Sequence, residues 1–286
     1  MKKLTILFIL FALLLTGCAE QKPAEIAATT LPVYEFSVAL CEGTDISVSR
    51  LVTENVSCLH DYSVQVAQMR AVESADAVVI SGAGLEGFLE DVLKDAACVI
   101  DASEGLALSC GHHHEDSDHH HEHDPHIWLS PEMAKEMCKN IAINLSALYP
   151  QFADIFSRNL YALQEKLDAL QAYGEKELED LVCRNLITFH DGFSYFAESF
   201  DLHILKAVEE ESGSEASAKE LIALIGLVNK NHLPAIFTES NGSTAAAEII
   251  AKETGAKIYT LDMAMAGDSY FDALYHNIDT VKEALG

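Results

Sequence analysis

Basic residues are scarce in this chain. Lys and Arg number 18 against 45 Asp and Glu, a formal charge of -27. A field of that sign repels phosphate backbones and attracts cations, which excludes nucleic acid as a partner. The apolar run Leu4–Leu15, broken by Thr5, falls short of the roughly 20 residues that an ordinary membrane-spanning helix needs. The seven cysteines include no C-x-x-C pair, which argues against a structural zinc–thiolate site. Neither H-E-x-x-H nor G-x-S-x-G occurs, so two common hydrolase signatures are missing. A zinc hydrolase, which needs an open coordination position and a base on the bound water, is therefore disfavoured.

The composition that is present suits two folded halves. The chain has 286 residues, 49% of them hydrophobic, enough for two lobes that each bury a core. Lys2 and Lys3 followed by the apolar run form a secretory signal over residues 1–17. It closes on Leu15-Thr16-Gly17-Cys18, which resembles the lipobox of bacterial lipoproteins, with Cys18 as the lipidated residue. Several acyl chains on one residue anchor a protein stably, whereas one alone does not. The expected location is extracytoplasmic, on the outer face of a bacterial cell membrane. Residues 19–25 read as a tether. Cys41, Cys58, Cys98, Cys110, Cys138 and Cys183 remain, an even number that permits disulfides in an oxidising compartment or small buried side chains.

Strand-like runs recur at 26–30, 46–53, 75–82 and 97–103, and again at 185–191, 202–208, 233–240 and 256–262. Helical patterns such as 64–75 and 218–229 separate most of them. Strands alternating with helices imply an α/β fold with parallel sheets covered on both faces. The expectation is an N-terminal lobe at 26–149, a linking segment at 150–182 and a C-terminal lobe at 183–286. Phe156, Leu160, Leu163, Leu167 and Leu170 mark one apolar face of a helix over 151–181. At ~1.5 Å per residue it would be roughly 45 Å long. A single long, rigid helix bridging the lobes would permit limited rocking rather than wide hinge closure.

Histidine carries the chemical signal. Residues 111–126 read GHHHEDSDHHHEHDPH, eight His and five carboxylates in sixteen residues. So polar a stretch belongs in an exposed loop, and imidazole suits zinc, copper and nickel. His112, His113, His114, His119, His120, His121 and His123 form a candidate secondary metal loop. His126 leads from it into Ile127-Trp128-Leu129-Ser130-Pro131, an apolar and ordered segment. His60 follows the run ending at Thr53, and His190 closes Ile187-Thr188-Phe189-His190. Asp262 ends Ile258-Tyr259-Thr260-Leu261-Asp262 in the same manner. Ligands of open α/β sheets gather outside the carboxyl ends of the strands. Three imidazoles with a carboxylate or water complete a tetrahedral zinc shell. Glu239, in Ile236-Phe237-Thr238-Glu239-Ser240, is a candidate to hold a ligating His from behind.

LHDYS around His60, DPHIWLSP around His126 and TFHDGFSYF around His190 resemble the three His motifs of the ZnuA-like zinc-binding lipoproteins of ABC importers. The resemblance runs from about Ile26 to the C-terminus and includes SGSEASAKEL at 212–221. It implies two α/β lobes joined by a rigid helix, with the metal in the cleft between them. It implies His60 and His126 as ligands from the first lobe, His190 from the second, and Asp262 or water as the fourth. The implied cargo is Zn2+, and the implied partner is the membrane permease of an ABC importer; the expectation is a monomer that is not an enzyme. Related manganese receptors usually carry Glu where His190 stands, and manganese prefers carboxylate oxygen. A manganese or iron receptor of the same fold is the alternative, and a surface adhesin is a third class that the lipid anchor would allow. The His-rich insert is shorter than in several family members, and is expected to raise local zinc near His126.

Overall fold

The computed structural model describes residues 24–54, 59, 62–108, 124–209, 216–240 and 244–286. The signal segment, Cys18, residues 19–23 of the tether, Cys58, His60, Cys110, the His-rich residues 111–123 and residues 212–215 of the SGSEASAKEL segment lie outside them.

Eight strands form among the described residues, seven inside their apolar runs and one, His203–Glu209, reaching one residue past the end of its own. The first sheet holds β1 (Ile26–Ala28), β2 (Val48–Arg50), β3 (Ala77–Ile80) and β4 (Val99–Asp101). The second holds β5 (Asn185–His190), β6 (His203–Glu209), β7 (Ala235–Glu239) and β8 (Lys257–Leu261). All neighbours pair in parallel, in the orders β2-β1-β3-β4 and β6-β5-β7-β8. The two halves therefore repeat one winding. Central strands such as β1 and β7 are buried along their whole length, which is why they read as continuous apolar runs and not as alternating ones. In each sheet the chain first steps to one side and then to the other, so the winding reverses between β1 and β3, and between β5 and β7. The carboxyl ends at such a reversal open a crevice.

The helices are α1 (Leu31–Cys41), α2 (Val66–Ser74), α3 (Glu90–Leu93), α4 (Pro131–Leu148), α5 (Ala153–Glu177), α6 (Ser194–Ser199), α7 (Ala218–Asn231), α8 (Ala245–Thr254) and α9 (Tyr270–Leu285). Their ends follow local chemistry. Ser130 caps α4 ahead of Pro131, and Ser217 with Glu220 forms a capping box on α7. Gly255, at φ 80°, closes α8 in the left-handed conformation.

Helix α5 packs against α1 and α4 of the first half and α9 of the second. Phe156, Leu163, Leu167 and Leu170 are buried along its inner face. The helix is shorter than the sequence pattern suggests. A single 3-10 turn at Pro150–Phe152 precedes it and it stops at Glu177, about 38 Å at ~1.5 Å per residue. The groups that would continue it have other partners. The Nη2 of Arg184 donates to the carbonyls of Leu178 at 2.8 Å and Glu179 at 2.9 Å. The N–H groups of Val182 and Cys183 donate to the carbonyl of Leu285 instead.

The halves share their core. One continuous buried cluster contains Phe36, Trp128 and Phe156 together with Phe196, Phe237 and Tyr270. The segment leaving β8 is bonded to the first half. The indole Nε1 of Trp128 donates to the Met263 carbonyl at 2.8 Å, and the Leu31 N–H donates to that of Met265 at 3.3 Å. Arg50 Nη1 donates to the Gly267 carbonyl at 2.8 Å, and the Tyr270 hydroxyl to that of Trp128 at 2.7 Å. Cys41, Cys98, Cys138 and Cys183 are free thiols. Among the described residues no helix is long and apolar enough to cross a membrane.

Candidate metal centre

Two of the candidate imidazoles meet. His126 opens the 3-10 turn Ile127–Leu129, and His190 is the last residue of β5. Both are buried, at 6% and 4% exposure. Their Nε2 atoms stand 3.4 Å apart with the rings nearly perpendicular, at 88°. The sequence separates them by 64 positions, and the contact joins the two halves.

Each ring is turned by a carboxylate behind it. Asp124 Oδ1 accepts from the His126 backbone N–H at 2.9 Å and lies 2.8 Å from its Nδ1. Burial pushes the Asp124 carboxyl up, but its bonds to the His126 ring and N–H outweigh that and leave it below the usual carboxylate range. Glu239, at the carboxyl end of β7, places Oε2 3.5 Å from His190 Nδ1. His190 and Glu239 thus sit at the winding reversal of the second sheet. With a proton on one Nε2 the contact is a ring-to-ring hydrogen bond; with the proton on each Nδ1, facing its carboxylate, each Nε2 carries a lone pair. Two lone pairs aimed at one another repel unless a cation stands between them. Two nitrogens sharing one tetrahedral zinc at about 2.0–2.1 Å each stand about 3.3–3.4 Å apart. The observed separation fits that geometry.

The surroundings hold the pair close. The Trp128 ring meets His126 edge-on, 5.3 Å between centroids. Gly192 has no side chain where one would obstruct: a Cβ would stand 2.7 Å from His190 Cδ2, 2.7 Å from Met263 Cε and 2.9 Å from His126 Nδ1. Asp124, Gly192 and Met263 have no role in the sequence reading, although all three lie inside or beside its motifs. The Asp-x-His spacing, in which a carboxylate can reach back to the His N–H, was the available signal for Asp124.

Asp262 follows β8 and is half-buried. Its Oδ1 accepts from the Ala264 N–H at 2.7 Å, and Asn277 brackets its backbone at 2.7 Å on both the N–H and the carbonyl. Among the described residues no three His, Cys, Asp or Glu side chains are placed to hold a metal ion together, so Asp262 does not join the imidazole pair here. His60 lies outside the described residues, as do the seven other histidines of the His-rich loop.

The carboxyl crest of the first sheet holds a buried acid of a different kind. Glu86 Oε1 accepts from Thr29 Oγ1 and from the Ser81 N–H, both at 2.7 Å, and Oε2 from the Gly82 N–H at 3.0 Å. Burial pushes this carboxyl up to about 7 against the pull of those donors. All of its recorded partners are structural, tying the ends of β1 and β3 together.

The family model for the zinc-uptake complex component A, periplasmic (ZnuA), matches residues 26–284. The chain belongs to the ZnuA family. A ZnuA crystal structure aligns at 30% identity with a TM-score of 0.81, covering 92% of this chain and 100% of that one. The Zn(II)-bound ZnuA-like domain of Streptococcus pneumoniae AdcA aligns at 27% identity and a TM-score of 0.77, covering 92% and 98%. The zinc-binding lipoprotein AdcA of Streptococcus pneumoniae serotype 4 is 30% identical over 307 residues, 99% of this chain and 61% of its own length. The chain thus spans about three fifths of the curated AdcA relatives it matches. These ZnuA-family relatives are named as binding proteins, not as enzymes.

Proposed function

We propose that this chain is an extracytoplasmic receptor that captures one Zn2+ in the cleft between its halves and delivers it to the membrane permease of an ABC importer. His126, His190 and His60 supply three imidazoles, and Asp262 or a water the fourth position. For Asp262 to serve, its carboxylate must be brought to the imidazole pair, with which it forms no metal-holding group among the described residues. The observation that carries the reading is the buried Nε2 pair at 3.4 Å with a carboxylate behind each ring. The ZnuA family supports zinc as the cargo, and the Zn(II)-bound AdcA domain shares the fold. A third imidazole favours zinc over manganese.

The carboxylates of Asp124 and Glu239 orient the rings with Nε2 toward the ion and partly offset its charge. The Leu15–Cys18 pattern, and the naming of one AdcA relative as a lipoprotein, support a lipid anchor at Cys18. The His-rich tract is proposed as a weaker site that collects zinc near His126.

Metal analysis and calorimetry of the purified protein test this. We expect one tightly held zinc, retained against excess manganese, and its loss in His60→Ala, His126→Ala and His190→Ala. Deleting residues 111–123 should remove only weaker sites. Tight manganese retention in the presence of zinc, or full zinc affinity in all three variants, would sink the proposal.

A further inference from the structure

The hydroxyl of Tyr62 is the centre of a hydrogen-bond clasp that nothing in the zinc site accounts for. It donates to Glu54 Oε2 at 2.5 Å and accepts from Gln68 Nε2 at 2.6 Å. Gln68 Nε2 also donates to the Leu51 carbonyl at 2.7 Å, and Gln68 Oε1 accepts from the Gln65 N–H at 2.8 Å. Gln65 Nε2 closes the circuit on Glu54 Oε1 at 3.0 Å. The Tyr62 ring packs edge-on against Phe88, with centroids 5.2 Å apart. Burial together with the bond to Glu54 raises the Tyr62 hydroxyl above its ordinary range, so it stays protonated and able to donate.

The clasp joins elements that are otherwise separate in the chain. Leu51 and Glu54 lie just past β2, while Gln65 and Gln68 form the capping box at the start of α2. Tyr62 ties the exit of the strand to the entry of the helix. On the other side of the same short stretch, Leu59 is 1% exposed and anchored in the core, and its carbonyl accepts from the Tyr62 N–H at 3.1 Å. His60 and Asp61 occupy the two places between these anchors in sequence.

We infer that Tyr62 is a positioning residue for zinc: through the clasp, its hydroxyl fixes the chain on one side of His60, as buried Leu59 fixes it on the other. The inference rests on the reading of His60 as a ligand. A ligand on a connection between strand and helix gains affinity when its backbone is set before the metal arrives, because ordering it afterwards is subtracted from binding. Partners that orient metal ligands are worth 10–100-fold in affinity.

A double-mutant cycle separates this role from a general effect on folding. Zinc affinity is measured by chelator competition on the full chain, on Tyr62→Phe, on His60→Ala and on the double variant. Thermal unfolding of each metal-free protein is recorded alongside. We expect Tyr62→Phe to weaken zinc by about 10–100-fold, with little further loss when it is added to His60→Ala. An equal loss in both backgrounds would overturn the inference, because the hydroxyl would then act without His60. So would an unchanged affinity in Tyr62→Phe where His60→Ala loses zinc. Unchanged affinity in His60→Ala would instead remove the ligand reading, and the inference with it. Should Tyr62→Phe fail to fold, Gln68→Met removes the donor to the hydroxyl and enters the same cycle.

Discussion

One oxygen of Asp124 meets both the backbone N–H and the ring Nδ1 of His126. Backbone and side chain are therefore set together, and the Nε2 lone pair points at His190. Asn in that place presents an amide that can donate to Nδ1, moving the ring proton to Nε2, where it blocks the metal. Asp124→Asn should weaken zinc by about 10–100-fold; undiminished affinity in a competition titration would show that the ring needs no such partner. His126 and His190 stand out in the sequence because the first opens an apolar, ordered segment and the second closes a strand-like run. Gly192 was not legible as a site residue. Its part is to lack a Cβ beside both rings, and a missing methyl group matters only once the packing is known. Asp262 was legible as a strand-end carboxylate, but its hydrogen bond to Ala264 could not be read from the pattern.

At the level of elements, the strands and the long connecting helix were easy to read, and the helix's C-terminal end was not. Buried parallel strands such as β5 and β7 must be apolar on both faces, so their composition marks them directly. The end of α5 is met by Arg184 and by the Leu285 carbonyl, and the second of these partners lies far outside any window of local sequence. The tie between β1 and β3 is equally non-local, since Thr29 and Glu86 lie 57 positions apart. Its acid has a pH consequence. The Glu86 carboxyl is raised from 4.5 to about 7 in the fold, so the folded state holds its proton more tightly than the unfolded chain does. The associated stability is complete below about pH 4.5 and is lost as pH rises through about 7. The displacement corresponds to about 3 kcal/mol. Urea unfolding at pH 5 and pH 8 should show wild type losing on the order of 3 kcal/mol more than Glu86→Gln over that interval. Parallel losses would assign the pH dependence to other groups.

Across the whole molecule, the two halves are joined by more than a helix. The buried cluster is continuous from Phe36 to Tyr270, and the segment after β8 is hydrogen-bonded to Leu31, Arg50 and Trp128 of the first half. Parting the two halves widely would expose that core and break those bonds together. Small-angle scattering with and without zinc should therefore give the same radius of gyration within error, and a large compaction on zinc addition would contradict the shared core. The same junction has an optical consequence. Trp128 is the chain's single tryptophan; it is fully buried and touches the His126 ring. The intrinsic fluorescence of the protein therefore arises, as far as indole is concerned, from one emitter beside the imidazole pair, which gives the protein a label-free reporter built into its own sequence.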